Sequence, residues 1–165
     1  MVNCERVKLQ RVFYDQRFPL QIFDNQVTNL IGIVPPFLPL TSVEVNVIIT
    51  QCNLNLVSQT VDLTFVITKI LNFDNIIIIP LLFIPTISDI PLPKFNEATI
   101  PAQFVNRLDC QVFDAVFSES FTYNELTRDF TESLAADLTI KVDAEDQILV
   151  SLCPKLLTKT VTVTP

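Results

Sequence analysis

Apolar and polar side chains alternate through residues 43–71, and this period of two constrains the fold more than any other feature of the sequence. A repeat of two residues is typical of a strand with one buried and one solvated face. Short polar breaks divide the stretch, so it predicts three strands of an antiparallel meander. The apolar positions are Val43, Val45, Val47, Ile49, Cys52, Leu54, Leu56, Val61, Leu63, Phe65 and Ile67.

The whole chain, at 165 residues, has a usual length for one domain. We predict an all-β fold, a two-sheet sandwich or jelly-roll-like antiparallel domain. Residues 1–14 are interpreted as an N-terminal arm and first strand, and residues 15–165 as the single β-sandwich domain. Two divergent β-rich halves, about 1–75 and 95–165, are the alternative, because residues 137–164 repeat the strand plan of 43–71.

One short helix is predicted near residues 123–135. Thr122 and Glu125 have the spacing of a capping box, in which each side chain bonds the backbone N–H of the other residue. Leu126, Phe130 and Leu134 then recur every four residues, as on one stripe of a helix.

Three other segments lead to local predictions. Alternation on both sides of the acidic segment 143–146 predicts a hairpin with its turn there, and 156–164 predicts a final strand. A slip of the alternation near Phe113 and Asp114 predicts a β-bulge. The isoleucine- and proline-rich segment 76–95 predicts a core strand buried on both faces and then a crossover; the alternative is that part of it packs into an adjacent subunit.

The composition excludes several function classes. The net charge of −7 argues against nucleic acid and anionic membrane surfaces as partners. The absence of histidine excludes Ser-His and Cys-His nucleophiles and histidine metal sites. A single glycine excludes the glycine-rich phosphate loops, and predicts that Asn, Asp and Pro take the turn positions.

The apolar content exceeds what a small core needs, which favours burial against partners. Hydrophobic residues make up 49% of the chain and charged residues only 18%. Thirteen phenylalanines against two tyrosines indicate dry packing in a core or a permanent interface. The longest apolar run, 76–84, is too short to span a membrane, and no secretory signal is expected from the first ten residues.

The four cysteines stand at positions 4, 52, 110 and 153 and form no C-x-x-C pair. Cys52, Cys110 and Cys153 are interpreted as small core residues, because each lies in an alternating run. Cys4 lies in the N-terminal arm, where it either cross-links to a neighbouring subunit or stays unpaired.

No carboxylate set predicts a metal, a cofactor or a catalytic centre. Asp143, Glu145 and Asp146 are interpreted as a solvated hairpin tip rather than a calcium site. Asp109, Asp114 and Glu119 are also expected to face water.

Two segments carry a resemblance to a known family. VEVNVIITQCNLNLVSQTVDLTFVITKIL, at 43–71, resembles the valine-alternating strands of the β-rich repeat domain of bacterial spore coat proteins. FSESFTYNELTRDF, at 117–130, with the strands that follow it to Val163, is similar to the phenylalanine-centred turn and closing strands of that domain. The resemblance covers about half of the chain and implies a structural role, without assigning site residues.

We therefore predict a self-assembling structural subunit of a bacterial surface layer, spore coat or filament, and not an enzyme. Its partner is expected to be itself, joined by strand addition and by an inter-subunit disulfide. The alternative is a β-sandwich module that binds a ligand or a protein. The expected location is the bacterial cell or spore surface, with assembly inside the mother cell. The contact candidates are Cys4, Val7, Leu9, Val161 and Val163.

Overall fold

The computed structural model describes the backbone of residues 5–150 and the side chains of residues 8–146. In this part of the chain the strands are β1 (Glu5–Asn29), β2 (Leu40–Asn55), β3 (Thr60–Phe73), β4 (Ile77–Phe83), β5 (Thr86–Pro91), β6 (Leu108–Asn124) and β7 (Asp129–Val150). A 3-10 turn, Glu97–Thr99, and a short helix α1, Ala102–Val105, connect β5 to β6.

These strands form two antiparallel sheets that pack together, which confirms the predicted all-β sandwich. One sheet has the order β1–β7–β6, and the other has the order β2–β3–β4 with β5 also paired to β3. β1 runs without a break across residues 14 and 15, so the predicted arm continues directly into the body of the fold.

The central strands β3 and β7 supply most of the core. On β3 every second residue from Val61 to Phe73 is buried. The predicted inward positions Val61, Leu63, Phe65 and Ile67 have no exposed surface at all. The facing residues of β7 are Phe130, Leu134, Ala136, Leu138, Ile140, Val142 and Ala144.

The β2–β3 pair is a two-stranded hairpin, and the prediction of a three-stranded meander is wrong. β2 continues through the polar residues Thr50 and Gln51, where its register against β3 shifts. The chain reverses only after Asn55, whose side-chain oxygen accepts a hydrogen bond from the N–H of Ser58 at 3.2 Å. A bulge absorbs an extra residue without ending a strand, and in the sequence it looks like a turn.

β4 is an edge strand, so the prediction that both of its faces are buried is wrong. Its side chains alternate between the core and solvent, with Ile79 buried and Ile78 exposed. β4 and β5 pair with successive lengths of β3, and between them the N–H of Phe65 donates to the C=O of Pro85 at 3.0 Å. The prolines are tolerated here because an edge strand needs hydrogen bonds on one side only.

The helix predicted at 123–135 is absent, because this range holds the end of β6, a turn and the start of β7. The side-chain oxygen of Asn124 accepts a hydrogen bond from the N–H of Leu126 at 3.0 Å. Such a local hydrogen bond competes with helix formation. Phe130 and Leu134 are both buried. A spacing of four residues equals two strand repeats as well as about one helical turn, so the pattern fitted both structures.

β7 continues through the acidic segment 143–146, and the hairpin predicted there is wrong. Asp143 pairs with Val12 of β1, and Asp146 pairs with Leu9. Asp143 is buried, with its carboxylate 2.9 Å from the ammonium of Lys141, so it is not part of a solvated tip. The predicted final strand, 156–164, lies outside the described residues.

Asparagine and aspartate take most of the left-handed backbone positions, as the scarcity of glycine predicts. Of the nine non-glycine residues with positive φ in the described chain, five are Asn25, Asp74, Asn75, Asp89 and Asp114. Asp114 also lies where the register of β6 shifts between Phe113 and Val116, which confirms the predicted bulge.

Tyr14 has a hydroxyl group that the core leaves unpaired. The side chain is buried beside Phe95, with ring centroids 5.9 Å apart, and the hydroxyl has no hydrogen-bond partner among the described residues. An unsatisfied buried polar group costs about 1–3 kcal/mol. We therefore expect Tyr14→Phe to raise the free energy of unfolding by about 1 kcal/mol. Urea titration at neutral pH checks this, and equal or lower stability of the variant would contradict it.

The stability gain of Tyr14→Phe should also depend on pH. Burial raises the pKa of Tyr14 in the folded state. The unfolded chain releases the phenolic proton at about pH 10, before the folded chain does, so the wild-type protein loses stability above that pH. The variant has no phenol at position 14, so it does not lose stability in this way. Its advantage should therefore widen as the pH rises through about 10 in the same titration.

Candidate assembly surface

A disulfide closes one lateral side of the sandwich. It joins Cys52 of β2 to Cys110 of β6, with their Cα atoms 5.4 Å apart. Because β2 and β6 belong to different sheets, the bond links the sheets at two neighbouring edges. The interpretation of both residues as simple core cysteines is therefore wrong, since strand order brings them together. Cys4 and Cys153 lie outside the described residues.

On another side of the sandwich, no described strand covers the outer edge of β1. β1 is 25 residues long and pairs with β7 alone among the described strands. Such an edge presents a row of backbone N–H and C=O groups to any further strand. Pro19 is the one proline in β1, whereas Pro80, Pro85 and Pro91 blunt the edge that β4 and β5 form. β1 is thus the edge better suited to pairing.

The first residues of β1 and the last described residues of β7 form a two-stranded segment, the terminal ribbon (5–10 paired with 145–150). β6 begins opposite Ala144, so β7 has no described partner on that side within the ribbon. Three consecutive side chains from Lys8 to Gln10 are exposed, which means that both faces of β1 are solvated here. Lys8 bridges the strands through an ion pair with Glu145 at 2.9 Å.

The structure places two of the predicted contact residues in the terminal ribbon. Val7 pairs with Ile148, and Leu9 pairs with Asp146. The Leu9 side chain is 45% exposed, which leaves it available for contact. Cys4, Val161 and Val163 lie outside the described residues.

A cluster of exposed aliphatic side chains covers the outer face of β4 and continues onto β3. We call it the β4 patch. Its members are between 42% and 70% exposed. In the register of β3 and β4, Ile78 lies opposite Asn72, and Ile70 lies opposite Pro80. Contiguous exposed apolar surface marks an interaction site more often than scattered single residues do. The patch consists of Ile70, Ile76, Ile78, Leu82 and Ile84.

Charge does not keep two β1 edges apart. The strand carries four cationic and three anionic side chains, so its net charge is +1, while the whole chain has a net charge of −7. Two copies approaching along β1 therefore meet with little repulsion, and opposite charges can face each other across the strands. The charged residues of β1 are Arg6, Lys8, Arg11, Arg17, Glu5, Asp15 and Asp24.

A buried ion cluster lies between the sheets. The ammonium of Lys69 contacts the carboxylate of Glu132 and donates a hydrogen bond to Oε1 of Glu119 at 3.0 Å. The side chains of Lys69 and Glu132 have no exposed surface. The rings of Phe23 and Phe83 lie 5.7 and 5.8 Å from Nζ of Lys69. Burial lowers the pKa of Lys69, and the hydrogen bond and charge of Glu119 oppose that shift.

Sequence reasoning missed this cluster and wrongly expected Glu119 to face water. Lys69 occupies an inward position of β3 between Ile67 and Leu71, and Glu132 occupies an inward position of β7. The alternation of buried and exposed positions on these strands therefore already placed both charged residues on the buried face. A charged residue in register with a buried face is rarely buried unless it is paired, so two such residues on facing strands indicate a pair.

An apolar groove lies between β1 and β5. Its volume is about 450 Å³, within the range of small-molecule sites. The lining includes Phe18, Pro19, Leu20, Ile87, Ile90 and Pro93.

Within residues 5–150 no group of three or more His, Cys, Asp or Glu side chains is arranged to hold a metal ion. No helix in that part of the chain has the length and apolar character to cross a membrane. The sequence matches no protein-family profile and no curated protein, and the fold matches no solved structure.

Proposed function

We propose that the protein is a structural subunit that assembles with copies of itself into a bacterial surface layer, spore coat or filament. The observation that carries this proposal is the outer edge of β1, which no described strand pairs and which continues into the terminal ribbon beyond the point where β6 begins. The exposed β4 patch supports it from a second surface.

The first contact is strand addition. Two β1 strands from different copies pair antiparallel about a two-fold axis, so that each supplies the same edge to the other. The backbone groups of this edge then form a ladder, and Leu9 lies at its exposed end. Long edges pair well only where proline is scarce, which favours β1 over the edge of β4 and β5.

The second contact is apolar packing between two β4 patches. It uses a different sheet from the first contact, because β1 belongs to the β1–β7–β6 sheet and β4 to the other. A subunit with one two-fold contact forms a dimer and stops. A subunit with two separate two-fold contacts continues in both directions, and the product is an open polymer when the two axes do not close into a tetramer.

The terminal residues add a third element to the proposal. Cys52 and Cys110 pair within the chain, which leaves Cys4 and Cys153 as the cysteines for bonds between subunits. Val161 and Val163 then serve as contact residues of the tail. The spore-surface location and the assembly inside a mother cell belong to the same proposal.

Leu82→Lys tests the second contact. Leu82 is 61% exposed, so a lysine there should leave the fold intact while it places charge in the β4 patch. We expect sedimentation velocity to show dimers joined through β1 in place of polymers. Val57→Lys is the matched control, because Val57 is 91% exposed in the β2–β3 turn and outside both contacts. Polymers of equal length from Leu82→Lys and the control would contradict this contact.

A binding module is the second candidate function, and the groove between β1 and β5 favours it. A ligand that occupies this groove would stabilise the folded monomer and raise its melting temperature with concentration. A thermal-shift screen with small apolar compounds would separate the two functions. The binding module requires a monomer that responds to ligand, whereas the structural subunit requires a polymer without one.

A further inference from the structure

Lys69 and Glu132 meet under conditions that favour a chemical reaction between them. Lys69 lies on β3 and Glu132 on β7, the central strands of the two sheets. Their side chains contact each other and neither has exposed surface. A second carboxylate, Glu119 of β6, accepts a hydrogen bond from Nζ of Lys69 at 3.0 Å.

We infer that Lys69 and Glu132 condense to an amide that cross-links the two sheets, with Glu119 as the group that moves the proton. This inference is independent of the proposed assembly, because all three residues lie inside one subunit.

The condensation balances without any further reactant. A proton first passes from the ammonium of Lys69 to the carboxylate of Glu132, which leaves a neutral amine beside a neutral carboxyl group. Nζ then attacks Cδ of Glu132, the C–N bond forms, and the C–OH bond breaks. Glu119 accepts a proton from Nζ and delivers it to the departing hydroxyl group. The products are one amide and one water molecule.

The dry surroundings favour the neutral pair from which this reaction starts. Two charges removed from water lose their solvation free energy, and proton transfer between them removes both charges. Burial lowers the pKa of Lys69, which is consistent with a neutral amine. The rings of Phe23 and Phe83 flank Nζ and keep water from the reacting atoms. The fold also holds amine and carboxyl group together, so the step is unimolecular.

An exposed ion pair of the protein provides an internal comparison. The side chains of Lys8 and Glu145 are 68% and 46% exposed. Exposed ammonium and carboxylate groups keep their charges and their hydration, so we expect this pair to remain ionic.

Mass spectrometry of the intact, reduced and unfolded protein tests the inference. The expected mass is one water molecule below the mass of the sequence. Trypsin should fail to cleave after Lys69 and should release fragment 18–94 joined to fragment 129–141. A full mass for the wild-type protein would overturn the inference, as would a lost water that maps to any other residues.

Variants separate the roles of the three residues. Lys69→Met and Glu132→Leu should each have the full mass of their sequences. Glu119→Ala should form the link incompletely, so that part of the purified variant keeps the full mass of its sequence, and a loss of one water as complete as that of the wild type would overturn its role in proton transfer. Lys8→Met is the control, because it removes the lysine of an exposed ion pair and should keep the loss of one water. The wild-type mass alone decides the question if a variant fails to fold.

Discussion

Lys69→Met is expected to be less stable than the double variant Lys69→Met/Glu132→Leu by about 3–5 kcal/mol, because the single change leaves a buried carboxylate without a partner. The side chain of Glu132 has no exposed surface, and its Oε1 atom accepts no hydrogen bond from the described residues. The double change removes both charges and fills the space with apolar atoms. The difference in stability between the two variants does not depend on the cross-link, since neither variant can form it.

Urea unfolding of the two variants at neutral pH measures this difference. Lys8→Met is a suitable control, since Lys8 and its partner Glu145 are both well exposed and the loss of this pair should cost much less. A single variant as stable as the double variant would show that the carboxylate is solvated, which would contradict the buried cluster.

Replacing both Cys52 and Cys110 by alanine is expected to lower the free energy of unfolding by about 4 kcal/mol. The two residues are 58 positions apart, so the disulfide closes a long loop and restricts the unfolded chain strongly. The bond also ties β2 to β6, strands that no backbone ladder joins. Its loss should therefore loosen that side of the sandwich first.

Thermal and urea unfolding without reductant measure the disulfide effect, and the same experiments in reductant should remove most of the difference between wild type and variant. The double substitution of Cys4 and Cys153 by serine is the matched control. An equal stability of wild type and Cys52→Ala/Cys110→Ala in oxidising buffer would contradict the assigned pairing.

The sequence was sufficient for the fold class because period-two alternation is a local signal. Val61, Leu63, Phe65 and Ile67 were predicted to share one face, and all four are buried. The bulge near Asp114 also followed from local register. These features depend only on neighbours along the chain.

Features that depend on distant partners could not be predicted in this way. The continuation of β7 through 143–146 depends on its pairing with β1, more than a hundred positions away. The bond between Cys52 and Cys110 depends on which strands become neighbours. The helix predicted at 123–135 failed because a spacing of four apolar residues also suits a strand.

The candidate site shows the same division. Val7 and Leu9 were predicted as contact residues from their place near the terminus, and they lie in the terminal ribbon. The exposed edge of β1 could not be predicted from the sequence, because the sequence does not give the order of the strands in a sheet. The role of these residues in assembly stays a prediction.

Negative-stain electron microscopy of the full chain, beside a chain that lacks residues 1–12, tests self-assembly most directly. The side chains from Lys8 to Val12 are exposed, so the deletion removes little of the core. We expect ordered polymers from the full chain, and from the shortened chain only dimers joined through the β4 patch. Uniform monomers of the full chain would contradict self-assembly, and equal polymers from both chains would contradict assembly through the first part of β1.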